Sequence, residues 1–303
     1  MTLALVLGAN GFVGRHVVEA MSGASGIDVI GAGIGAPLPA LEGAWRDIDL
    51  LAGDDDRLEA ELRSSRPSLI VNCTGATTGS AADLVRLNVL VTARVLESIA
   101  RSGVQARLVH LGSAAEYGPG PAGLPVAETA CARPVSAYGI AKLAATQLVA
   151  TSAAGGLDAV VLRVFNALGP GMPAGSMPGS ALERLSDAVR NATPRIEMGP
   201  LGAVRDFVDV RDIGAAVVAA CLAPRLDAPI LNVGSGTGHT ARELVEALAV
   251  RVGFDGEIGE AAAGSPRSSD VPWQIANVEL VAKMLGWRAV HDLRSTVERM
   301  TAQ

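Results

Sequence analysis

Thr2-Leu-Ala-Leu-Val-Leu-Gly-Ala-Asn-Gly-Phe-Val-Gly14 is an apolar run that leads straight into a glycine-spaced turn. Leu3–Leu7 has the composition of a strand buried on both faces. Gly8-Ala-Asn-Gly-Phe-Val-Gly14 follows it and opens a helical stretch. Small residues here let the backbone approach a pyrophosphate closely. The helix N-terminus adds free N–H groups and the positive end of a dipole. The spacing, G-x-x-G-x-x-G, is a variant of the dinucleotide fingerprint. A tight structural turn would also use glycines; their position directly between strand and helix points to a nucleotide.

The rest of the chain repeats the pattern. Val29–Gly31, Leu69–Asn72, Arg107–Leu111 and Ala159–Val164 read as further buried parallel strands, with amphipathic stretches at 12–21, 54–65, 81–102 and 136–153 between them. This βαβ series predicts an α/β fold with a doubly wound parallel sheet. Gly169-Pro-Gly-Met-Pro-Ala-Gly-Ser-Met-Pro178 reads as a Gly/Pro-rich loop. Beyond it lie a strand candidate at Pro229–Val233 and helices near 240–252 and 276–285. The expected organisation is a dinucleotide-binding domain over 1–165, to which 208–235 returns, and a smaller, partly interleaved substrate lobe over 166–303. Asp28 has the spacing of a ribose-reading acid but precedes the second strand, so it reads as a turn residue. Gly31-Ala-Gly-Ile-Gly35 carries neither acid nor Arg, which leaves NAD against NADP open.

Composition sets bounds. In 303 residues, 49% are hydrophobic and 18% charged, enough for a sizeable core. The net charge of −6 and the absence of a Lys/Arg-rich run leave no electrostatic footprint for nucleic acid. Cys73, Cys131 and Cys221 are far apart and read as reduced thiols of a cytoplasmic protein. His16, His110, His239 and His291 are scattered and suggest no metal site. Thr2–Leu7 lacks a preceding basic residue, so no signal peptide is expected, and Ile213–Ala223 is too short to span a bilayer.

Tyr138 and Lys142 stand four residues apart in Ser136-Ala-Tyr-Gly-Ile-Ala-Lys142. On a helix they share a face. An ammonium beside a phenol favours the phenolate and makes the Tyr a usable proton donor or acceptor near neutral pH. The spacing alone also describes a solvated helix face; the other motifs separate the two readings.

Together, in order along almost the whole chain, these motifs resemble the extended short-chain dehydrogenase/reductase family, in its nucleotide-sugar epimerase/dehydratase group. The resemblance assigns Gly8, Asn10, Gly11, Phe12, Val13 and Gly14 to the cofactor turn. It places Asp49 and Leu50 on the adenine, and Thr74, Gly75 and Asn88 along the cofactor. His110-Leu-Gly-Ser-Ala-Ala-Glu-Tyr-Gly118 resembles the segment bearing the catalytic hydroxyl, and register from Tyr117-Gly118 puts that role on Ser113. Tyr138 and Lys142 take the catalytic pair, Tyr138 as proton donor and Lys142 also on the nicotinamide ribose. Arg163-Val-Phe-Asn-Ala-Leu-Gly-Pro170 resembles the substrate motif. Asn166, Arg205 and Arg267 are thereby placed at the substrate, the two arginines on its diphosphate and Asp270 orienting Arg267. The implied cofactor is NAD or NADP with no metal, the partner a nucleotide diphosphate sugar, and the assembly a homodimer built on the helices near 81–102 and 136–153. Neither nucleic acid nor membrane is an expected partner.

Within the group, 4,6-dehydratases resemble one another in an acidic residue just after the catalytic hydroxyl, where this chain has Ala114 and Ala115; Glu116 is one place too late. Gly112–Gly118, Arg205–Asp212, Ser268–Pro272 and Gly286-Trp287 resemble GDP-6-deoxy-mannose reductases. The expected activity is NAD(P)H-dependent reduction of the C4 keto group of a 4-keto-6-deoxy nucleotide sugar. The alternatives are a sugar-nucleotide 4-epimerase that retains its NAD, and a non-catalytic dinucleotide-binding regulator, which would be expected to lose Tyr138 or Lys142.

Overall fold

The computed structural model describes residues 2–52, 55–261 and 271–302. Seven parallel strands form the central sheet: β1 (Thr2–Leu7), β2 (Ile27–Gly33), β3 (Trp45–Asp47), β4 (Leu69–Asn72), β5 (Arg107–Ser113), β6 (Ala159–Val164) and, returning from the second half, β10 (Ile230–Val233). Their order is β10-β6-β5-β4-β1-β2-β3. The order reverses between β1 and β4, and the crevice at the carboxyl ends of these two strands is where a doubly wound sheet binds ligands.

Alternation along the strands builds two cores. Ala4, Val6, Val71, Val109, Val160 and Leu162 face one side, against α1 (Phe12–Gly23) and α7 (Val210–Leu222). Leu5, Leu7, Ile70, Leu108 and Val161 face the other, against α2 (Asp55–Ser65) and α4 (Val91–Ser102). Burial on both faces explains why β4 and β6 coincide with the apolar runs in the sequence. Asp28 is not a turn residue: it is the second residue of β2, paired with Leu3. The neighbour β3 covers only Gly31–Gly33, so the Asp28 side chain stays in solvent within a strand.

The helical stretch at 81–102 is one path with a wide turn in it. A short helix α3 (Ala81–Leu84), capped by Ser80 and Asp83, runs into a π-helical turn, Val85–Leu90, and then into α4. Such turns concentrate at functional sites, and this one holds Asn88. The helix bearing Tyr138 and Lys142 is α5 (Ala137–Ala154), opened by the Ser136 hydroxyl, which accepts from the Gly139 amide at 3.1 Å.

The second half carries more regular structure than its Gly/Pro texture suggests. Asn166 begins β7 (Asn166–Leu168), and Ser176 caps α6 (Met177–Arg190), whose first turn contains Pro178. Pro is compatible with a first helical turn, where no N–H bond is lost. A pair of short strands follows, β8 (Arg195–Glu197) with β12 (Glu257–Gly259). The strand β9 (Val204–Asp209) joins β7, β11 (Gly238–Thr240) and β13 (Trp273–Gln274). Helices α6, α8 (Ala241–Val252) and α10 (Leu293–Met300) close a third core around Leu185, Leu244, Leu248 and Val297. Helix α9 (Glu279–Leu285) packs Val281 into the first core. No helix among the described residues is long and apolar enough to cross a membrane.

The two halves meet tightly where α1 crosses α7. A Cβ at Gly214 would lie 2.8 Å from the Ala20 Cβ and 3.0 Å from the His16 carbonyl oxygen. Overpacking of this kind costs about 1–3 kcal/mol. Gly214→Val is therefore expected to lower the urea midpoint by an equivalent amount; an unchanged midpoint would contradict this packing.

Candidate active site

The turn after β1 is built by backbone approaching backbone. Gly8 has φ of +70°. A Cβ on it would lie 3.0 Å from the Cys73 carbonyl carbon and the Thr74 nitrogen, and one on Gly14 would lie 2.1 Å from the Gly8 oxygen. Gly11 caps α1 with no side-chain hydrogen bond, so the first N–H groups of the helix are left for a ligand. Asn10 donates to the Ile34 carbonyl at 2.8 Å, tying the turn to the end of β2. Phe12 sits edge-on to His16, and Val13 packs on the core. These cradles fit a dinucleotide pyrophosphate.

Around the turn the other candidates converge. Thr74 is held by the Asn72 carboxamide oxygen, which accepts its amide at 3.1 Å and its hydroxyl at 2.6 Å; Asn72 in turn meets His110 Nδ1 at 3.1 Å. Gly75 has φ of +137°. The place of its missing Cβ is 2.5 Å from Asn88 Oδ1 and 3.9 Å from Lys142 Nζ. Asn88 Oδ1 is buried without a hydrogen-bond partner, while its amide donates to Ala76 and Leu84 carbonyls at 3.0 and 2.9 Å. A buried acceptor left open here suits a ligand group. Asp49 accepts from the amides of Leu51 and Ala52 at 2.8 and 3.2 Å, and Leu50 is buried beside it. The sequence showed no acid after β2, but the structure brings one from the adjacent strand: the Asp47 carboxylate reaches the Gly35 amide at 3.4 Å.

Ser113 ends β5, and its hydroxyl accepts from the Ala115 amide at 3.2 Å. The first turn of α5 presses on this segment, since a Cβ on Gly139 would lie 2.4 Å from the Ala115 oxygen. Half-buried Tyr138 precedes Gly139 in this first turn. Lys142, one helical turn on, is buried and donates to the Leu111 carbonyl at 2.5 Å. Burial holds its ammonium below the ordinary lysine pKa, with Glu116 and Cys73 opposing. Burial pushes the Cys73 thiol up to about 12. Burial, then the charge of Lys142, holds the His110 imidazole well below its ordinary value. Cys73 and His110 are therefore both neutral near pH 7.

Of the residues expected at the substrate, Asn166 donates to the Asp206 carbonyl at 3.0 Å, and buried Arg205 donates to the Val204 carbonyl at 2.9 Å. Desolvation holds the Arg205 pKa below its ordinary value. Arg267 and Asp270 lie outside the described residues. Sequence reasoning missed two buried acids. Asp206 accepts from the Ser235 amide and hydroxyl and from the Gly236 and Ala276 amides, at 2.6–3.1 Å. Glu116 sits behind Ser113, bonded to Arg163 and Thr146. A faint signal for the second was Gly112, in a strand where a branched residue would otherwise pack. His16 bonds the Pro170 carbonyl and His291 bonds Asp212; no group of His, Cys, Asp and Glu among the described residues is arranged to hold a metal.

Known proteins share this plan. The family model for the NAD dependent epimerase/dehydratase family matches residues 4–234. A dTDP-6-deoxy-L-talose 4-dehydrogenase (NAD(P)(+)) of Kitasatospora kifunensis is 39% identical over 303 residues, covering 98% of this chain and 94% of that protein. A GDP-6-deoxy-D-mannose reductase of Pseudomonas aeruginosa is 28% identical over 252 residues, covering 80% and 78%. The solved structure of RMD from Pseudomonas aeruginosa complexed with NADPH superposes with a TM-score of 0.85 at 24% identity, covering 100% of this chain and 98% of that one, and so shares the fold. The chain belongs to the NAD dependent epimerase/dehydratase family.

Proposed function

We propose that the protein is an NAD(P)-dependent enzyme acting on a nucleotide sugar, and that it interconverts carbonyl and alcohol at C4 of a 6-deoxy sugar, working as a reductase. The observation that supports this reading is helix α5, which bears Tyr138 and Lys142 four residues apart, packs Gly139 against Ala115 just after Ser113, and reaches the Leu111 carbonyl through Lys142. The 39% identical dehydrogenase supports a 6-deoxy sugar carried on dTDP.

When bound, the nicotinamide supplies a hydride. The protein supplies the rest. In this proposal the Gly8–Gly14 turn and the N-terminus of α1 bind the pyrophosphate, Asp49 and Leu50 border the adenine, and Thr74, Gly75 and Asn88 line the path to Lys142. Ser113 Oγ donates to the C4 oxygen and holds it in line, and the Tyr138 hydroxyl gives it a proton. Lys142 Nζ favours the phenolate that remains. Arg205, Asn166 and Arg267 hold the diphosphate, for which forked guanidinium donors are suited. Ala114 and Ala115 carry no carboxyl, and the buried Glu116 carboxylate is taken up by the Ser113 amide, Thr146 and Arg163, which disfavours elimination of water. Residues 1–165 with 208–235 would form the cofactor lobe and the rest of 166–303 the substrate lobe. The exposed apolar side chains Val85, Leu90, Ile140 and Leu148 support a homodimer through the helices at 81–102 and 137–154.

Tyr138→Phe is expected to lower kcat at least about 10²-fold while leaving dinucleotide affinity nearly intact; near-wild-type turnover would remove Tyr138 from the reaction. Family membership keeps the epimerase as a second reading, because it needs the same Ser, Tyr and Lys. A reductase must release oxidised cofactor each turn, so the purified protein should exchange added cofactor freely and oxidise NAD(P)H only with a 4-keto sugar nucleotide. Interconversion of UDP-sugars at C4 on tightly held NAD, without net cofactor use, would favour the epimerase. For the dimer, Ile140→Arg with Leu148→Arg should shift the sedimentation coefficient to that of a monomer, and an unchanged value would place any interface elsewhere.

A further inference from the structure

Glu116 is a fully buried carboxylate that the proposed chemistry leaves unused. Its Oε1 accepts from the Ser113 amide at 2.7 Å and from the Thr146 hydroxyl at 2.9 Å, and its Oε2 accepts from Arg163 Nε at 2.7 Å. These donors come from three different elements: the end of β5, helix α5 and strand β6. Thr146 stands one turn beyond Lys142 and two beyond Tyr138, on the same face of α5. Arg163 lies 4.5 Å over the Tyr117 ring, and the Tyr117 hydroxyl donates to Asn232 Oδ1 at 2.7 Å. Strand β5 gives up a side chain to admit the carboxylate. A Cβ on Gly112 would lie 2.7 Å from Glu116 Oε1, 2.8 Å from Val161 Cγ1 and 3.3 Å from Arg163 Cγ.

We propose that Glu116 is a positioning residue: it fixes Ser113 through the main-chain amide and the Tyr138–Lys142 helix through Thr146, and by its bond to Thr146 it sets a negative charge one helical turn from the buried Lys142 ammonium. The inference rests on the reading of Ser113, Tyr138 and Lys142 as the reacting group of residues. Among the described residues, the other titratable groups around Lys142 supply no anion near neutral pH. Cys73, after β4, stays a thiol and His110, on β5, stays neutral. Tyr138 lies on the same helix, Arg163 on β6 is the cation paired with Glu116, and burial pushes the Tyr117 phenol up. Burial also lifts the Glu116 carboxyl, while Arg163 and the Ser113 amide pull it back; three donors at bonding distance suit the ionised form.

The chain has only two lysines, Lys142 and Lys283, so each can be titrated by carbon NMR of protein labelled at lysine Cε, with Lys283→Arg assigning the signals. In the wild type the Lys142 midpoint is expected below the free lysine value, because the ammonium is buried. Glu116→Gln keeps an acceptor for Ser113 and Thr146 but removes the charge. The Lys142 midpoint should then fall by at least about one pH unit, a tenfold change in its protonation equilibrium, with Lys283 unmoved. Activity that needs the ammonium is present below its pKa and lost as pH rises through it. The alkaline fall in kcat should therefore move to lower pH by the same amount. Thr146→Val, which removes only an uncharged anchor, should lower the melting temperature without moving the Lys142 midpoint.

A Glu116→Gln midpoint within about 0.3 unit of the wild type would overturn the proposal. Should Glu116→Gln not fold alone, the same titration is run in sucrose, which favours the compact state, and an unmoved midpoint overturns the proposal there too. A moved midpoint in a protein that turns over no nucleotide sugar would uphold this role for Glu116 while rejecting the proposed reaction. An active wild type with an unmoved midpoint would do the reverse.

Discussion

No side chain fits between the turn after β1 and the loop after β4. Gly8 faces the Cys73 and Thr74 backbone at the limit of van der Waals contact, and Gly14 faces the Gly8 carbonyl at a distance that no Cβ tolerates. This contact lies at the point where the sheet reverses its strand order, so it fixes α1 against the carboxyl ends of the strands. The uncapped helix N-terminus then opens into the same crevice as Thr74, Gly75, Asn88 and Lys142. The groove is shaped by missing side chains, and its charge comes from backbone dipoles.

The neighbouring segments that carry Ser113, Tyr138 and Lys142 are held by a different device. Lys142, Glu116 and Arg163 are all buried, and a buried charge is tolerated only when it is paired and hydrogen-bonded. Glu116 meets that condition with donors from three elements. A pair of this kind gives little net stability, because desolvation offsets the attraction. Its value lies in geometry: the serine turn, the tyrosine helix and the Arg163 strand share one carboxylate, so a shift in any of them disturbs the others.

The first half of the fold was legible because its strands are buried on both faces and its turns carry glycine. Leu69–Asn72 and Ala159–Val164 coincide with their apolar runs, and Tyr138 with Lys142 followed from helical spacing. Ser113 was legible only through register from Tyr117-Gly118. The edge strand Trp45–Asp47 escaped notice because three residues with two charges show no period. The helix at Met177–Arg190 was hidden by the Gly/Pro texture at its start, where Ser176 and Pro178 in fact form a first turn. Glu116 and Asp206 were unreadable as buried acids because their partners, Thr146 and Arg163 for one and Ser235 and Ala276 for the other, are about 30 to 70 residues away. Charge satisfied by distant donors leaves no local pattern.

The proposed reaction moves hydride between a freely exchanging nicotinamide and C4 of a nucleotide-linked sugar. Its most direct measurement supplies NAD(P)H deuterated at the nicotinamide C4 with a 4-keto-6-deoxy sugar nucleotide, and reads the product by mass and proton NMR. The account predicts one deuterium per product molecule, located at the sugar C4, with one reduced cofactor consumed. Product formed without deuterium at that carbon, or isomerisation of a sugar nucleotide with no label transferred from added cofactor, would contradict it.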